Sequence, residues 1–138
     1  MRAVVITEYG NEDVLEVQEV PDPKPGPDQV VVGVTASAMN RADLLQRAGQ
    51  YPAPGPKPVH EIPGLEYSGE IVAVGSEVAN WSVGDAVMGI VPGGAMAEMV
   101  VTHERMLQPV PQGIGVADAA AIPEVFMTAH DALVTQGA

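Results

Sequence analysis

The sequence predicts a mainly β domain, a sandwich or small barrel of about six or seven short strands. Three observations carry that expectation. Apolar residues alternate with polar ones over several short stretches, the period of a half-buried strand. The 15 Gly and 13 Pro of the 138 residues are spread along the chain without a repeat period, as turns between strands would be. Aromatics make up only 4% while valine is abundant, and β-branched side chains suit a pleated surface. The length allows one domain with a sizeable core and is too short for two ordinary ones.

The elements follow in order. Met1 to Glu8 reads as a short strand and turns acidic too soon for a signal peptide. Val14 to Val20 alternates, setting Leu15 and Val17 against Glu16 and Gln18. Between Gly26 and Asn40, the residues Val30, Val32, Val34, Ala36 and Ala38 share one face, with Val31 the exception. A helix is expected from Asn40, an N-cap residue with Asp43 at N3, to a stop at Gly49. Residues 48 to 63 hold prolines at 52, 54, 56, 58 and 63, which predict an extended, irregular surface loop. Leu65 to Gly75 begins by alternating and ends in the run Ile71-Val72-Ala73-Val74, so its far end is expected to be covered on both sides. Asp85 to Val91 and Ala95 to Thr102 are strands around Pro92-Gly93-Gly94, and Arg105 to Pro109 is another short one. The tail is different. Val116 to Ala121 is alanine-rich, Pro123 suits a first helical position, and Glu124 to Thr135 continues as helix. A mostly β domain ending in such a helix is expected to be the first part of a longer protein.

Charge and composition exclude several classes. Six Lys+Arg against 18 Asp+Glu leave a net charge of −12, which speaks against nucleic-acid or anionic-membrane partners. The absence of cysteine removes disulfides, thiolate nucleophiles and sulfur-ligated zinc. No apolar run approaches the ~20 residues of a membrane span. A cytoplasmic protein is the expectation.

The segment Gly64-Leu65-Glu66-Tyr67-Ser68-Gly69-Glu70-Ile71-Val72-Ala73-Val74-Gly75 resembles the G-x-E-x-x-G-x-V-x-x-V-G signature of the medium-chain dehydrogenase/reductase superfamily. Asn40-Arg41-Ala42-Asp43, Trp81-Ser82-Val83-Gly84-Asp85-Ala86-Val87, and Ala119 to Pro123 followed by Thr128-Ala129 agree in order and spacing. The stretch from Asn40 to Tyr51, Pro92-Gly93-Gly94 and the run from Ala119 to Glu124 are most similar to the quinone oxidoreductase, zeta-crystallin-like branch. These segments span nearly the whole chain.

That resemblance implies a GroES-like, partly open β-barrel over residues 1–122 as the catalytic domain. Residues 123–138 would be the helical start of a Rossmann domain that is otherwise absent here. It implies an NADPH:quinone oxidoreductase, a homodimer in full, and predicts that this chain alone is inactive. The nearest match to a dinucleotide glycine loop, Gly113-Ile114-Gly115, lacks the third glycine and follows Pro111-Gln112 instead of a buried strand.

Zinc relatives in the superfamily need a cysteine near the Asn40 position and a histidine just before the signature glutamate, and here those places hold Asn40 and Leu65. His60, His103 and His130 lack the spacing of a shared metal, so a metal-free site is expected. Without a Lewis acid, a quinone or conjugated enone is the feasible acceptor, because its π-system spreads the incoming charge.

The resemblance puts Asn40 beside nicotinamide and substrate, Tyr51 at the cleft mouth as a hydrogen-bond donor and positioner, and Thr128 facing the nicotinamide. Asn40 and Tyr51 are thus the candidate catalytic residues, and Asn40 and Thr128 the candidate cofactor contacts. Each also has a bland reading: Asn40 as an N-cap whose amide NH2 stays free, Tyr51 as a packing anchor, Thr128 bonded back to a carbonyl. Glu66 and Asp85 read as structural, and Glu124 as complement to a helix dipole. Met88, Met96, Met99 and Met106 read as core or cleft lining. The rival reading is a non-enzymatic binding or assembly module on the same barrel, like a co-chaperonin. The segments at 40–43, 64–75 and 119–129 argue against it.

Overall fold

A computed structural model describes residues 1–51 and 58–137. Among them it forms seven strands: β1 (Arg2–Ile6), β2 (Leu15–Glu19), β3 (Gln29–Ala38), β4 (Glu66–Val74), β5 (Ala86–Ile90), β6 (Met99–His103) and β7 (Leu107–Pro109). Three α-helices join them, α1 (Arg41–Arg47), α2 (Val116–Ala119) and α3 (Pro123–His130), and α3 runs on into a π-helical turn over Asp131–Thr135. The fold is mainly β with short helices, as expected. Of the proline loop, Pro52, Pro54 and Pro56 lie outside the described residues.

The main sheet is antiparallel, in the order β6-β3-β4-β5-β7, and β1 and β2 pair as a separate hairpin. Residues 95–98 join the two. Met96 O accepts from Val4 N–H at 2.9 Å, and Glu98 N–H donates to Arg2 O at 3.0 Å. The expected strand from Ala95 to Thr102 therefore divides: its first part crosses to β1, and only Met99 onward pairs with β3. The result is a partly open barrel.

Every strand of the main sheet feeds one core, from Val30 and Val32 through Tyr67, Ile71 and Val87 to Val100 and Leu107. Val31, on the opposite face of β3 from Val30 and Val32, is buried as well. Beside it, β4 carries one extra residue, Val72, where the register shifts between Val31 and Val32. A second slip between Val34 and Ala36 bends the end of β3, leaving Val34, Ala36 and Ala38 only half-buried.

In β4 the expectation is reversed. Its near end, Glu66 to Gly69, is buried on both faces, while Val72 and Val74 at the far end are exposed. The cause is the tail: α2 and α3 pack on β4, and Ser68 Oγ donates to Val116 O. An alternating sequence carries no sign of a cover supplied by a segment 48 residues later.

The α1 boundaries match local chemistry. Asp43 Oδ2 accepts from Asn40 N–H at 2.7 Å, closing the first turn. At the other end, Gly49 takes φ +73°, where its N–H reaches Gln46 O and Gln50 N–H reaches Leu45 O. That pair of bonds is the glycine-terminated stop expected at this position.

Candidate active site

The antiparallel register of β3 and β4 pairs Ala38 with Glu66, which delivers Asn40, two residues further on, to the buried start of β4. There Asn40 Nδ2 donates to Glu66 Oε1 at 2.8 Å. The amide NH2 read from sequence as free is engaged, since a buried carboxylate accepts from the nearest donors. The other Glu66 oxygen, Oε2, accepts from Glu124 N–H at 2.8 Å, in the first turn of α3. Glu66 is only 2% exposed and ties the asparagine to the helix that carries Thr128. A carboxylate at a helix N-terminus meets orphan N–H groups and a favourable dipole. Glu66 thus joins Glu124, which lies in the first turn of α3 as its helix-dipole reading expects, at that N-terminus.

Asp43 is the second buried carboxylate of the cluster. Besides closing α1, its Oδ1 accepts from Gly64 N–H at 2.9 Å. Gly64 has φ +105°, and a Cβ there would meet the backbone of Ala95 and Met96, so the signature glycine is required at this turn.

Two cavities flank this cluster. One, of about 300 Å³, is lined by Tyr51 with Leu65, Ile90, Val91, Pro92 and Met106. The other, of about 360 Å³, is lined by Asn40, Arg41, Thr128 and the inner side of α3. Glu124 lines both. The structure thus brings Asn40 and Thr128 together and sets Tyr51, itself 44% exposed, in the adjoining cavity. Burial, with Glu66 and then Asp43 nearby, pushes the Glu124 carboxyl above the usual carboxylate range.

Sequence reasoning passed over Glu124 as part of this site. Its one signal was position, directly after Pro123 and in the first turn of the helix that carries Thr128. Of the methionines, Met106 lines the Tyr51 cavity and Met88 is core.

The donors for a metal are poorly arranged. Leu65 offers none, Asn40 is engaged by Glu66, and His103 lies between Asp28 Oδ2 at 3.1 Å and Arg105 N–H. Among the described residues no three His, Asp or Glu side chains gather as a metal site. No helix among them is long and apolar enough to cross a membrane.

A family model described as the alcohol dehydrogenase GroES-like domain matches residues 26–112. The chain belongs to that family, within the medium-chain dehydrogenase/reductase superfamily. It is 36% identical over 93% of its length to quinone oxidoreductase-like protein 2 of Mus musculus, covering 35% of that protein. It is 33% identical to 2-methylene-furan-3-one reductase of Solanum lycopersicum, covering 99% of this chain and 38% of the relative. The solved structure of the human synaptic vesicle membrane protein VAT-1 homolog-like protein superposes with a TM-score of 0.92 at 34% identity, covering 99% of this chain and 43% of that one. A quinone oxidoreductase of Pseudomonas syringae gives 0.89 at 32% identity, with 98% and 41% covered. The chain therefore spans little more than a third of the length of these sequence relatives.

Proposed function

We propose that the chain is the catalytic portion of a zinc-independent, cytoplasmic NADPH:quinone oxidoreductase, acting as a homodimer on a quinone or conjugated enone. In this reading residues 1–122 form the catalytic barrel and 123–138 begin the cofactor domain. The observation that carries it is the convergence of Asn40 and Thr128 on one cavity and Tyr51 on the next, with Glu124 shared between them. The relatives named for quinone and furanone reduction support the substrate class.

The described residues fit the nicotinamide end of the cofactor and no more. A pyrophosphate needs free N–H groups at a helix N-terminus. At α3 the Glu124 N–H is already taken by the Glu66 carboxylate, and α2 is a single turn. When bound, the reduced nicotinamide supplies a hydride. The chain's own part would be to orient: Asn40, held by Glu66, and Thr128 would hold the ring, and the Tyr51 phenol would donate to the acceptor oxygen. Such a donor stabilises the charge that collects on that oxygen. The zinc-free reading rests on the donor set, in which Leu65 and the engaged Asn40 stand at the positions that zinc relatives use.

The test is reduction of quinones and enones by NADPH in the longer protein that carries this chain. Tyr51→Phe keeps the ring and removes one hydroxyl, worth ~0.5–1.5 kcal/mol, so turnover falls several-fold with the fold intact. Unchanged kinetics in the variant would make Tyr51 a packing residue.

A further inference from the structure

We propose that Glu124 is the proton donor of this site and that the acceptor it serves is a conjugated enone. The inference rests on the reductase reading above and narrows its substrate.

Glu124 lines the cavity of Tyr51 and the cavity of Asn40 and Thr128, so an acceptor reaching from one to the other passes this residue. Its backbone N–H is held by Glu66, which fixes the residue in the first turn of α3. Its side chain has no hydrogen-bond or ion-pair partner among the described residues, so its carboxyl is not committed to a bond within them. The other two acids of the cluster cannot serve. Both oxygens of Glu66 and both of Asp43 already accept hydrogen bonds inside the fold. The charged and titratable groups facing Glu124 are Glu66 of β4, Asp43 and Arg41 of α1, and the Tyr51 phenol. Partial burial and the two acids hold a proton on Glu124 to higher pH than an ordinary glutamate.

The chemistry separates the acceptors. Hydride arriving at the β-carbon of an enone forms a C–H bond, and the C=C electron pair moves to give an enolate. The enolate must be protonated at its α-carbon: the Glu124 O–H breaks, the new C–H forms, and the carboxylate regains its proton from water. The enone is reduced and the nicotinamide oxidised. A quinone needs less help. Its product is a phenolate-like monoanion of pKa near ~10, which water protonates after release.

Two measurements decide the matter. Carbon-13 NMR titration of the 138-residue chain should show the Glu124 carboxyl titrating above the ordinary glutamate range; a value within or below it overturns the proposal. In the longer enzyme, enone reduction in D2O should place one deuterium on a single face of the α-carbon. Glu124→Gln, which disturbs no bond in the fold, should lose that face selectivity and about tenfold or more of enone turnover while quinone turnover falls much less. Retained selectivity and rate in the variant would refute the proton donor. Reduction of quinones but never enones would sink this inference and leave the reductase reading standing. Reduction of neither would sink both.

Discussion

Glu66 and Tyr67 are consecutive on β4, face opposite sides of the sheet, and lose nearly all exposure, at 2% and 0%. Their polar atoms are treated in contrary ways. Both Glu66 oxygens accept hydrogen bonds, from Asn40 Nδ2 and Glu124 N–H. The Tyr67 hydroxyl has no partner among the described residues and sits within the apolar core of the barrel. The difference separates what each face is for. On the side of the two cavities, both oxygens of the buried Glu66 carboxylate are matched, and the bonds tie three elements together. On the core side, a tyrosine is used as a large hydrophobe whose hydroxyl is tolerated.

Removing the matched group should have the larger effect. Glu66→Ala strands two donors and opens a cavity between β4, α1 and α3. A stability loss of about 2–4 kcal/mol is expected, read as a lower urea midpoint at unchanged slope. A loss below ~1 kcal/mol would mean that water replaces the carboxylate, and the two faces of β4 would then differ far less than their bonding suggests.

How much of this contrast is visible in the sequence depends on distance along the chain. Local chemistry is legible: Asn40 and Asp43 announce the start of α1, Gly49 its end, and Pro123 the start of α3. The alternation of β3 marks a strand and its core valines, although the burial of Val31 on the other face and the register shifts against β4 leave no compositional trace. The site is legible only as a list. Asn40, Tyr51 and Thr128 come from resemblance, and nothing in their spacing says that Asn40 and Thr128 share a cavity. The bonds that arrange them run from Glu66 to Asn40, 26 residues back, and to Glu124, 58 residues ahead. Such pairing follows from tertiary packing, which pattern reading does not reach. Glu66 therefore reads as generic structure until its two partners are known.

An intermediate effect is expected at Glu124, on the margin of the matched face. Its carboxyl pKa is raised on folding, by burial first and by Glu66 and Asp43 next. A raised acid is bound more tightly to its proton in the folded state, so its contribution is most favourable below the ordinary carboxyl range. That contribution is lost as pH rises through the folded value. Glu124→Gln should therefore raise stability at neutral pH and flatten this part of the pH–stability curve, with no gain at acidic pH. Chemical denaturation of both proteins across pH 3 to 8 checks the sign. An equal change at every pH would show that neither burial nor the neighbouring carboxylates shift the Glu124 carboxyl on folding.

The smallest effect belongs to the unmatched group and has the opposite sense to Glu66→Ala. A Cβ at Gly89 would stand 2.8 Å from the Tyr67 hydroxyl oxygen and 2.9 Å from Met106 O, so the hydroxyl is enclosed by backbone with little room for water. Burial pushes its pKa well above the ordinary phenol range, because a phenolate there would lose its hydration without compensation. Tyr67→Phe removes an unsatisfied polar atom and keeps the ring, so stability should stay level or rise by up to ~1 kcal/mol. The gain from the phenol's raised pKa follows the same sign rule as Glu124 at higher pH. Wild-type stability is fully present below ~pH 10 and falls above it, while the phenylalanine variant lacks that fall. Of the three tyrosines, one should accordingly resist ionisation, followed by phenolate absorbance, until the protein unfolds. A loss of more than ~1 kcal/mol in Tyr67→Phe would show that the hydroxyl has a partner after all, and the two faces of β4 would then obey one rule instead of two.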